Sequence, residues 1–175
     1  MSARRRVAVA VTGASGAIYA VRTIAALLSE GCELEIVFSD YGRRLMLDEL
    51  GADARVERLI DILVERYGES VRRGSFVVHS NKDLGATLAS GSHRCESMVI
   101  VPCTMKTLAG VAHGLSHNLI ERAADVMLKE KRRLVIVPRE TPLSLPDLRN
   151  MGARCSTSAT SSATAAATPT DQGWK

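Results

Sequence analysis

The stretch VAVAVTGASG, residues 7–16, decides the fold of this 175-residue chain. A β-branched apolar run that ends in a glycine-rich turn is typical of a buried strand that leads into a helix. The residues that follow support this, because Ile18, Val21, Ala25 and Leu28 recur at helical spacing. The stretch therefore predicts one strand–turn–helix unit of an α/β sheet.

The alternation of strand and helix continues over the first 150 residues. Further strands are predicted at residues 34–38, 98–101 and 134–137, and helices at residues 41–50, 54–66, 106–112 and 119–131. Residues 75–79 fit a short strand or a loop equally well. Continuous apolar strands separated by amphipathic helices predict a doubly wound parallel sheet, covered by helices on both faces.

The composition excludes several classes of protein. Apolar residues make up 46% and charged residues 24% of the chain, which is typical of one globular domain. The net charge of +4 comes from scattered basic residues, and aromatic residues are only 3%, so a nucleic-acid-binding surface is not predicted. No apolar run approaches the roughly 18 residues of a membrane span. Arg4–Arg6 precede an apolar stretch that is too short for a signal peptide.

The cysteines and histidines do not form a metal-binding pattern. The four cysteines make no CxxC pair and no paired spacing with histidine, so neither a zinc site nor a disulfide framework is predicted. A reducing, cytoplasmic location is expected. The histidines stand apart in the sequence and are expected to be surface or loop residues rather than metal ligands: His79, His93, His113 and His117.

Small polar or charged residues follow four of the predicted strands, and ligands of such sheets bind beyond the carboxyl ends of the strands. Residues 12–16 offer glycines and a helix N-terminus to a phosphate, although a plain tight turn also explains them. The turn is neither a Walker loop nor a complete GxGxxG fingerprint. At the second strand end, Ser39 and Asp40 either cap the next helix or contact a ligand, such as a ribose held by Asp40.

The two remaining strand ends also carry groups that could bind a ligand or take part in a reaction. Residues 102–107 offer backbone donors, a hydroxyl group and a lysine near a helix start. Cys103 in this loop is either a nucleophile or a buried structural thiol. Arg139 and Glu140 follow an apolar strand directly, where opposite charges are costly unless they pair with one another or meet a ligand.

The helix predicted at 119–131 carries two basic residues that could contact a ligand. Arg122 and Lys129 are seven residues apart and therefore share one face of the helix. Asp125 precedes Lys129 by four residues, so a solvated salt-bridge ladder explains the same pattern. Residues 90–92 form a small polar loop before the strand predicted at 98–101.

Four motifs, in this order, resemble the UbiX-like flavin prenyltransferases. They are VTGASGAIY at residues 11–19, MVIVPCTMKTL at 98–108, LIERAADVMLKE at 119–130 and RETPL at 139–143. The resemblance covers residues 5–151. It implies a flavodoxin-like, doubly wound, three-layer domain over residues 1–151, assembled into a homododecamer with FMN at the subunit contacts.

The resemblance also implies the reaction and its residues. Family members join a dimethylallyl group from dimethylallyl phosphate to N5 and C6 of reduced FMN, without a metal, for use by UbiD-type decarboxylases, as in ubiquinone synthesis. The FMN contacts implied are Gly13, Ala14, Ser15, Ser39, Thr104, Met105, Lys106, Thr107 and Arg139. The prenyl-phosphate contacts implied are Ser90, Gly91, Arg122, Lys129 and Glu140, and Glu49 also matches a family position.

General chemistry agrees with the catalytic roles that the resemblance gives to Arg122, Lys129 and Glu140. Departure of a phosphate from an allylic carbon builds negative charge on oxygen, which Arg122 and Lys129 are suited to stabilise. Glu140 is suited to relay a proton between the flavin and the phosphate. The chain has no DDxxD motif for magnesium and a diphosphate, which favours a monophosphate donor.

The sequence departs from the family after Met151. Residues 152–175 are rich in Ala, Ser and Thr and are predicted to be a low-complexity, disordered tail. The family continues instead with a strand, a tyrosine-bearing loop and a helix with a basic residue that binds the prenyl phosphate. The abrupt change of composition predicts a frameshifted or replaced C-terminus.

Two other functions are compatible with parts of the pattern. One is an FMN-binding carrier or accessory subunit without prenyl-transfer activity. The other is an NAD-dependent oxidoreductase, which the missing third glycine of the dinucleotide fingerprint disfavours.

Overall fold

The computed structural model describes residues 4–51 and 56–155. Five strands lie in this part of the chain: β1 (Arg6–Val11), β2 (Glu33–Phe38), β3 (Ser75–Ser80), β4 (Ser97–Cys103) and β5 (Arg133–Pro138). Six α-helices accompany them: α1 (Ala17–Ser29), α2 (Asp40–Leu50), α3 (Val56–Tyr67), α4 (Met105–Ala112), α5 (Leu119–Lys129) and α6 (Leu145–Cys155). The predicted start of α3 at residue 54 lies outside the described residues.

The five strands form one parallel sheet in the order β3-β2-β1-β4-β5. This confirms the doubly wound α/β fold. The chain moves outward from β1 to β3 and then returns to the other side of β1 with β4, so the strand order reverses between β1 and β4. Ligands of doubly wound sheets bind at such a switch point, beyond the carboxyl ends of the two strands.

Two apolar layers pack on the two faces of the sheet. Val7, Val9 and Val11 of β1 point into a cluster with α1 and α3, whereas Ala8 and Ala10 point into a cluster with α4 and α5. Because a strand alternates its side chains, β1 supplies both layers, and nearly every residue of β1 and β2 is buried. The core therefore fixes the centre of the sheet, where the switch point lies.

The ends of the sheet differ from its centre. β3 is a strand over Ser75–Ser80 and pairs with β2, which settles the strand-or-loop alternative for this segment. β5 lies at the opposite edge, and its Val135 and Val137 are about two-fifths exposed (44% and 41%). The alternating exposure of β5 shows that helices cover only one of its faces.

Two helix predictions need correction. α5 ends at Lys129 rather than at residue 131, because Lys131 has a left-handed backbone with φ of 54° that closes the helix. α6 was not predicted, although Ser144 and Asp147 exchange hydrogen bonds at its start in the manner of a capping box. The boundary predicted after Met151 falls within α6, and residues 156–175 of the predicted tail lie outside the described residues.

None of the helices in residues 4–51 and 56–155 is long and apolar enough to cross a membrane.

Candidate active site

Thr12 joins the two loops of the switch point. Its side chain is only 1% exposed. The hydroxyl group donates a hydrogen bond to the carbonyl of Pro102 at 2.8 Å and accepts one from the backbone N–H of Thr104 at 2.8 Å. The loop after β1 and the loop after β4 are therefore held at a fixed separation by a residue that sequence reasoning did not single out.

Gly13 is required by the packing of α2. A Cβ atom at Gly13 would lie 2.4 Å from the Cβ atom of Tyr41, and one at Gly42 would lie 2.3 Å from the carbonyl oxygen of Val11. The two glycines let the start of α2 lie directly on the end of β1. The sequence suggested a ligand as the reason for Gly13, and the structure adds this close contact between elements. Ala14 is buried beside Gly13, and Ser15 is exposed.

Glu49 occupies the N-terminus of α1. Its carboxylate accepts hydrogen bonds from the backbone N–H groups of Gly16 at 3.1 Å and Ala17 at 2.9 Å. These N–H groups belong to the helix N-terminus at which the sequence suggested a phosphate site. The helix end thus holds a negative charge, as its dipole favours, and Glu49 of α2 lies at the rim of the crevice.

Ser39 and Asp40 differ in their surroundings. Ser39 caps α2, because its hydroxyl oxygen accepts a hydrogen bond from the N–H of Gly42 at 3.0 Å. Asp40 is exposed and faces Lys82, with 3.6 Å between carboxylate and ammonium. The structure therefore shows the capping alternative for Ser39, while Asp40 contacts the loop after β3.

The loop after β4 begins α4 and contains a buried thiol. Thr104 caps α4 through a hydrogen bond from the N–H of Thr107 at 3.2 Å, and Met105 and Lys106 form the first turn. Cys103 is fully buried, and this burial raises the pKa of its thiol to about 12. Since the thiolate is the nucleophilic form, the structural alternative holds for Cys103.

Arg139 and Glu140 stand at the carboxyl end of β5. The N–H of Arg139 donates to the carbonyl of Cys103 at 3.1 Å, so this end of β5 is tied to the end of β4. Among the described residues no ion pair joins Arg139 to Glu140, whose carboxylate instead accepts from the N–H of Thr141 at 3.0 Å. Both side chains are exposed, which leaves their charges available to a ligand.

The three charged residues predicted on α5 form a linked group. The same carboxylate oxygen of Asp125 lies 2.7 Å from the ammonium of Lys129 and 3.2 Å from the guanidinium of Arg122. Arg122 also donates to the carbonyl of Ala89 at 3.2 Å, which places it beside Ser90. The salt-bridge ladder therefore exists, and it presents two cations that share one anion next to the polar loop.

One subunit does not bring all of these residues together. The start of α5 is bonded to Asn81, just after β3, so α5 begins at the carboxyl edge of the sheet and runs back toward the amino edge. Lys129 precedes β5, and Glu140 follows it. The six residues of this strand rise by roughly 3.3 Å each, which separates the two side chains' attachment points by about 20 Å.

His79 and His93 are not isolated surface residues. Both rings contact the carboxylate of Glu35, His79 at 2.9 Å and His93 at the second oxygen, and Glu35 is only 5% exposed. The sequence does contain one indication of this cluster, because Glu35 is a charged residue within the otherwise apolar segment 34–38 and therefore needs a partner. His113 and His117 are exposed, as predicted. The part of the chain that the structure describes holds no group of three residues arranged for a metal ion.

A doubly wound sheet with polar loops at its switch point is typical of nucleotide-binding α/β proteins. A family model described as Flavoprotein matches residues 1–145. The UbiX flavin prenyltransferase of Alkalihalophilus pseudofirmus is 46% identical over 143 residues, which cover 82% of this chain and 70% of that protein. The chain therefore belongs to the flavoprotein family and, within it, to the UbiX-type flavin prenyltransferases.

Solved structures agree with this assignment. A dodecameric FMN-dependent UbiX-like decarboxylase from Escherichia coli O157:H7 superposes with a TM-score of 0.75 at 38% identity, covering 87% of this chain and 75% of that one. A UbiX protein in complex with FMN and dimethylallyl pyrophosphate gives a TM-score of 0.75 at 39% identity, covering 89% and 75%. The resemblance stated from the motifs is thus confirmed.

Proposed function

We propose that this chain is a flavin prenyltransferase that transfers the dimethylallyl group of dimethylallyl phosphate to reduced FMN. The observation that carries the proposal is the pair of cations, Arg122 and Lys129, fixed by Asp125 beside the Ser90–Gly91 loop. A phosphate leaving group needs such cations, and a protein that only carries FMN does not.

The loops at the switch point offer polar groups that suit FMN. The loops after β1 and β4 are rigidly joined through Thr12, and α4 directs the free N–H groups of its first turn to the same edge. Within the described residues, the side chains of Ser15, Lys106 and Arg139 have no hydrogen-bond or ion-pair partner. A hydroxyl group and two cations are thus available to the phosphate and the ring of a flavin mononucleotide.

In the proposed reaction the protein residues stabilise negative charge on the phosphate and transfer a proton from the flavin. Reduced FMN, when bound, supplies the nucleophilic atoms N5 and C6. Arg122 and Lys129 bind the phosphate and stabilise the negative charge that grows on its bridging oxygen as the carbon–oxygen bond breaks. Glu140 accepts a proton released from the flavin, and its exposed carboxylate is suited to pass that proton to the departing phosphate.

The separation of Lys129 from Glu140 supports a site built by two copies of the chain. The two residues lie at opposite ends of β5, so one substrate meets both only where the α5 surface of one subunit faces the crevice of another. A homo-oligomer, such as the dodecamer formed by a relative, provides such contacts.

We further propose that a UbiD-type decarboxylase receives the product and that the product serves ubiquinone synthesis. We also propose a cytoplasmic location, which agrees with the free, buried thiols of Cys32, Cys95 and Cys103.

The direct test is anaerobic incubation of the protein with reduced FMN and dimethylallyl phosphate, followed by mass spectrometry of the extracted flavin. A flavin heavier by one dimethylallyl unit is expected. Parallel incubation with dimethylallyl pyrophosphate distinguishes the two donors, and the monophosphate is expected to react faster. Bound flavin of unchanged mass with both donors would favour the carrier function instead.

Mixing of two inactive variants tests the shared site. Lys129→Ala and Glu140→Ala are each expected to lose prenyl transfer, and co-refolded mixtures to regain about one quarter of the sites, since each contributing copy is intact with a probability of about one half. If the mixture stays as inactive as the separate variants, the site lies within one subunit and the two-copy proposal fails.

A further inference from the structure

The polar loop 89–93 has a defined position. Ala89 ends a short 3-10 helix (Thr87–Ala89), and the other residues of the loop belong to no helix or strand. Its Ser90 and Gly91 are the residues expected to contact the prenyl phosphate. Ser90 is exposed, and its hydroxyl oxygen bonds only to Ser92 within the described residues, through the hydroxyl at 2.8 Å and the N–H at 3.4 Å. Local bonds of this kind do not fix a loop relative to α5, so the fixing contacts come from elsewhere.

Arg132 supplies two of these contacts. Its guanidinium donates one hydrogen bond to the carbonyl of Gly91 at 2.6 Å and another to the carbonyl of His93 at 2.7 Å. The side chain is 19% exposed, so the bonds are largely shielded from water. A guanidinium group can span two carbonyls at once, whereas the ammonium of a lysine is a single point charge.

The backbone after α5 directs Arg132 toward the loop. Lys131 adopts the left-handed conformation, and the N–H of Arg132 bonds to the carbonyl of Met127 at 2.8 Å. This closure of α5 reverses the chain direction within two residues. Arg132 therefore leaves the same end of α5 that carries Lys129.

Further contacts hold both ends of the loop. Arg122 of α5 bonds to the carbonyl of Ala89 at 3.2 Å, and the ring of His93 contacts the buried carboxylate of Glu35. The middle of the loop touches α5, because a Cβ atom at Gly91 would lie 2.7 Å from a carboxylate oxygen of Glu130. The loop is thus bonded to α5, to the turn after it and to the sheet.

We propose that Arg132 is a positioning residue that clamps loop 89–93 onto the end of α5, so that Ser90 and Gly91 stand ready beside Lys129 before the prenyl phosphate arrives. This inference rests on the proposed function, because it concerns the phosphate half of that site. Binding then requires little ordering of the loop, and a site arranged in advance binds more tightly than one that must be ordered.

Hydrogen–deuterium exchange of the full chain tests the clamp without any turnover. In Arg132→Ala the amides of a peptide spanning residues 87–95 are expected to exchange about tenfold faster or more, since two charge-assisted bonds that oppose local opening are lost. Arg132→Lys should show a smaller increase. Arg133→Ala is the matched control, because it removes the same charge from the exposed neighbouring position. Unchanged exchange in Arg132→Ala would overturn the proposal.

Calorimetric titration of the FMN-loaded protein with dimethylallyl phosphate tests the consequence for the site. We expect the dissociation constant to rise about tenfold in Arg132→Ala and less in Arg132→Lys, with FMN affinity unchanged in both. A loop that loosens without weakening dimethylallyl phosphate binding would refute the positioning role, as would a parent protein that does not bind this ligand. Failure of the proposed function alone has a different signature, namely binding of dimethylallyl phosphate that weakens in Arg132→Ala but leads to no prenyl transfer in the parent protein.

Discussion

Replacement of Thr12 by valine tests whether one buried hydroxyl group holds the switch point together. The substitution keeps the shape of the side chain and removes its oxygen. The N–H of Thr104 then loses its acceptor at 2.8 Å, whereas the carbonyl of Pro102 keeps the N–H of residue 12 at 3.2 Å. One buried donor without a partner costs about 1–3 kcal/mol. For a domain of this size, the melting temperature should fall by roughly 3–10 °C.

Thermal unfolding by circular dichroism and fluorescence titration with FMN measure the two consequences. FMN affinity should fall together with stability, because Thr12 fixes the two loops that carry the expected flavin contacts. Thr23→Val is the matched control, since Thr23 donates a 2.8 Å bond to the carbonyl of Tyr19 at an exposed position of α1. That control should change stability by less than about 0.5 kcal/mol. Equal melting temperatures for Thr12→Val and Thr23→Val would refute the reasoning.

Three further predictions concern single side chains. Lys129→Ala and Glu140→Ala should retain FMN yet lose prenyl transfer by about 10²–10³-fold in rate; if Lys129→Ala only lowers the melting temperature, Asp125 and Lys129 are merely a surface ladder. Gly13→Ala should cost about 1–3 kcal/mol through its contact with Tyr41, whereas Gly152→Ala, which meets nothing within 4 Å and lies in α6, should stabilise the protein by up to about 1 kcal/mol in the same denaturant titration. Because burial raises the pKa of Cys103 to about 12 from the ordinary 9.0, its contribution to stability should be complete below pH 9 and lost as the pH rises through 12. Urea titrations at both pH values, compared with Cys103→Ala, check this, and a parallel pH dependence in the two proteins would contradict it.

The centre of the sheet was predictable because its residues are buried on both sides. β1 and β4 are almost continuous apolar runs, and β2 is apolar apart from Glu33 and Glu35; such runs have few alternatives to a parallel strand. β3 was ambiguous because it lies at an edge, where its residues are mostly half-exposed and carry no clear pattern. β5 lies at the other edge and is also partly exposed, but its unbroken apolar run still predicted a strand.

α6 shows a different limit. Leu145 and Leu148 are more than half exposed, at 59% and 52%, so its apolar residues do not report a buried face. The better signal was the start of the helix, where Ser144 and Asp147 are spaced as in a capping box. Without a buried face to accompany it, that signal is too common in sequences to indicate a helix.

The contacts that the sequence did not predict join segments far apart in the chain. Glu49 reaches the N-terminus of α1 from 33 residues away, and Glu35 meets His93 across 58 residues. Motifs identify residues that are close together in the sequence, and these pairs are not. The positions of such side chains depend on the register of the strands and on the crossing of helices over the sheet, which the sequence pattern does not contain.

Lys129 and Glu140 show the opposite case, in which residues close together in the sequence lie far apart in the structure. The two motifs that carry them, at residues 119–130 and 139–143, are neighbours in the sequence, yet a whole strand lies between them. A helix that connects parallel strands must run back along the sheet, so the end of α5 and the end of β5 necessarily lie at opposite edges. No adjustment of side chains within one subunit removes this separation. The proposed reaction needs both the cation and the carboxylate, so it would require assembly. In that assembly we expect each subunit to present its loop 89–93, next to Lys129, to the crevice of a neighbour.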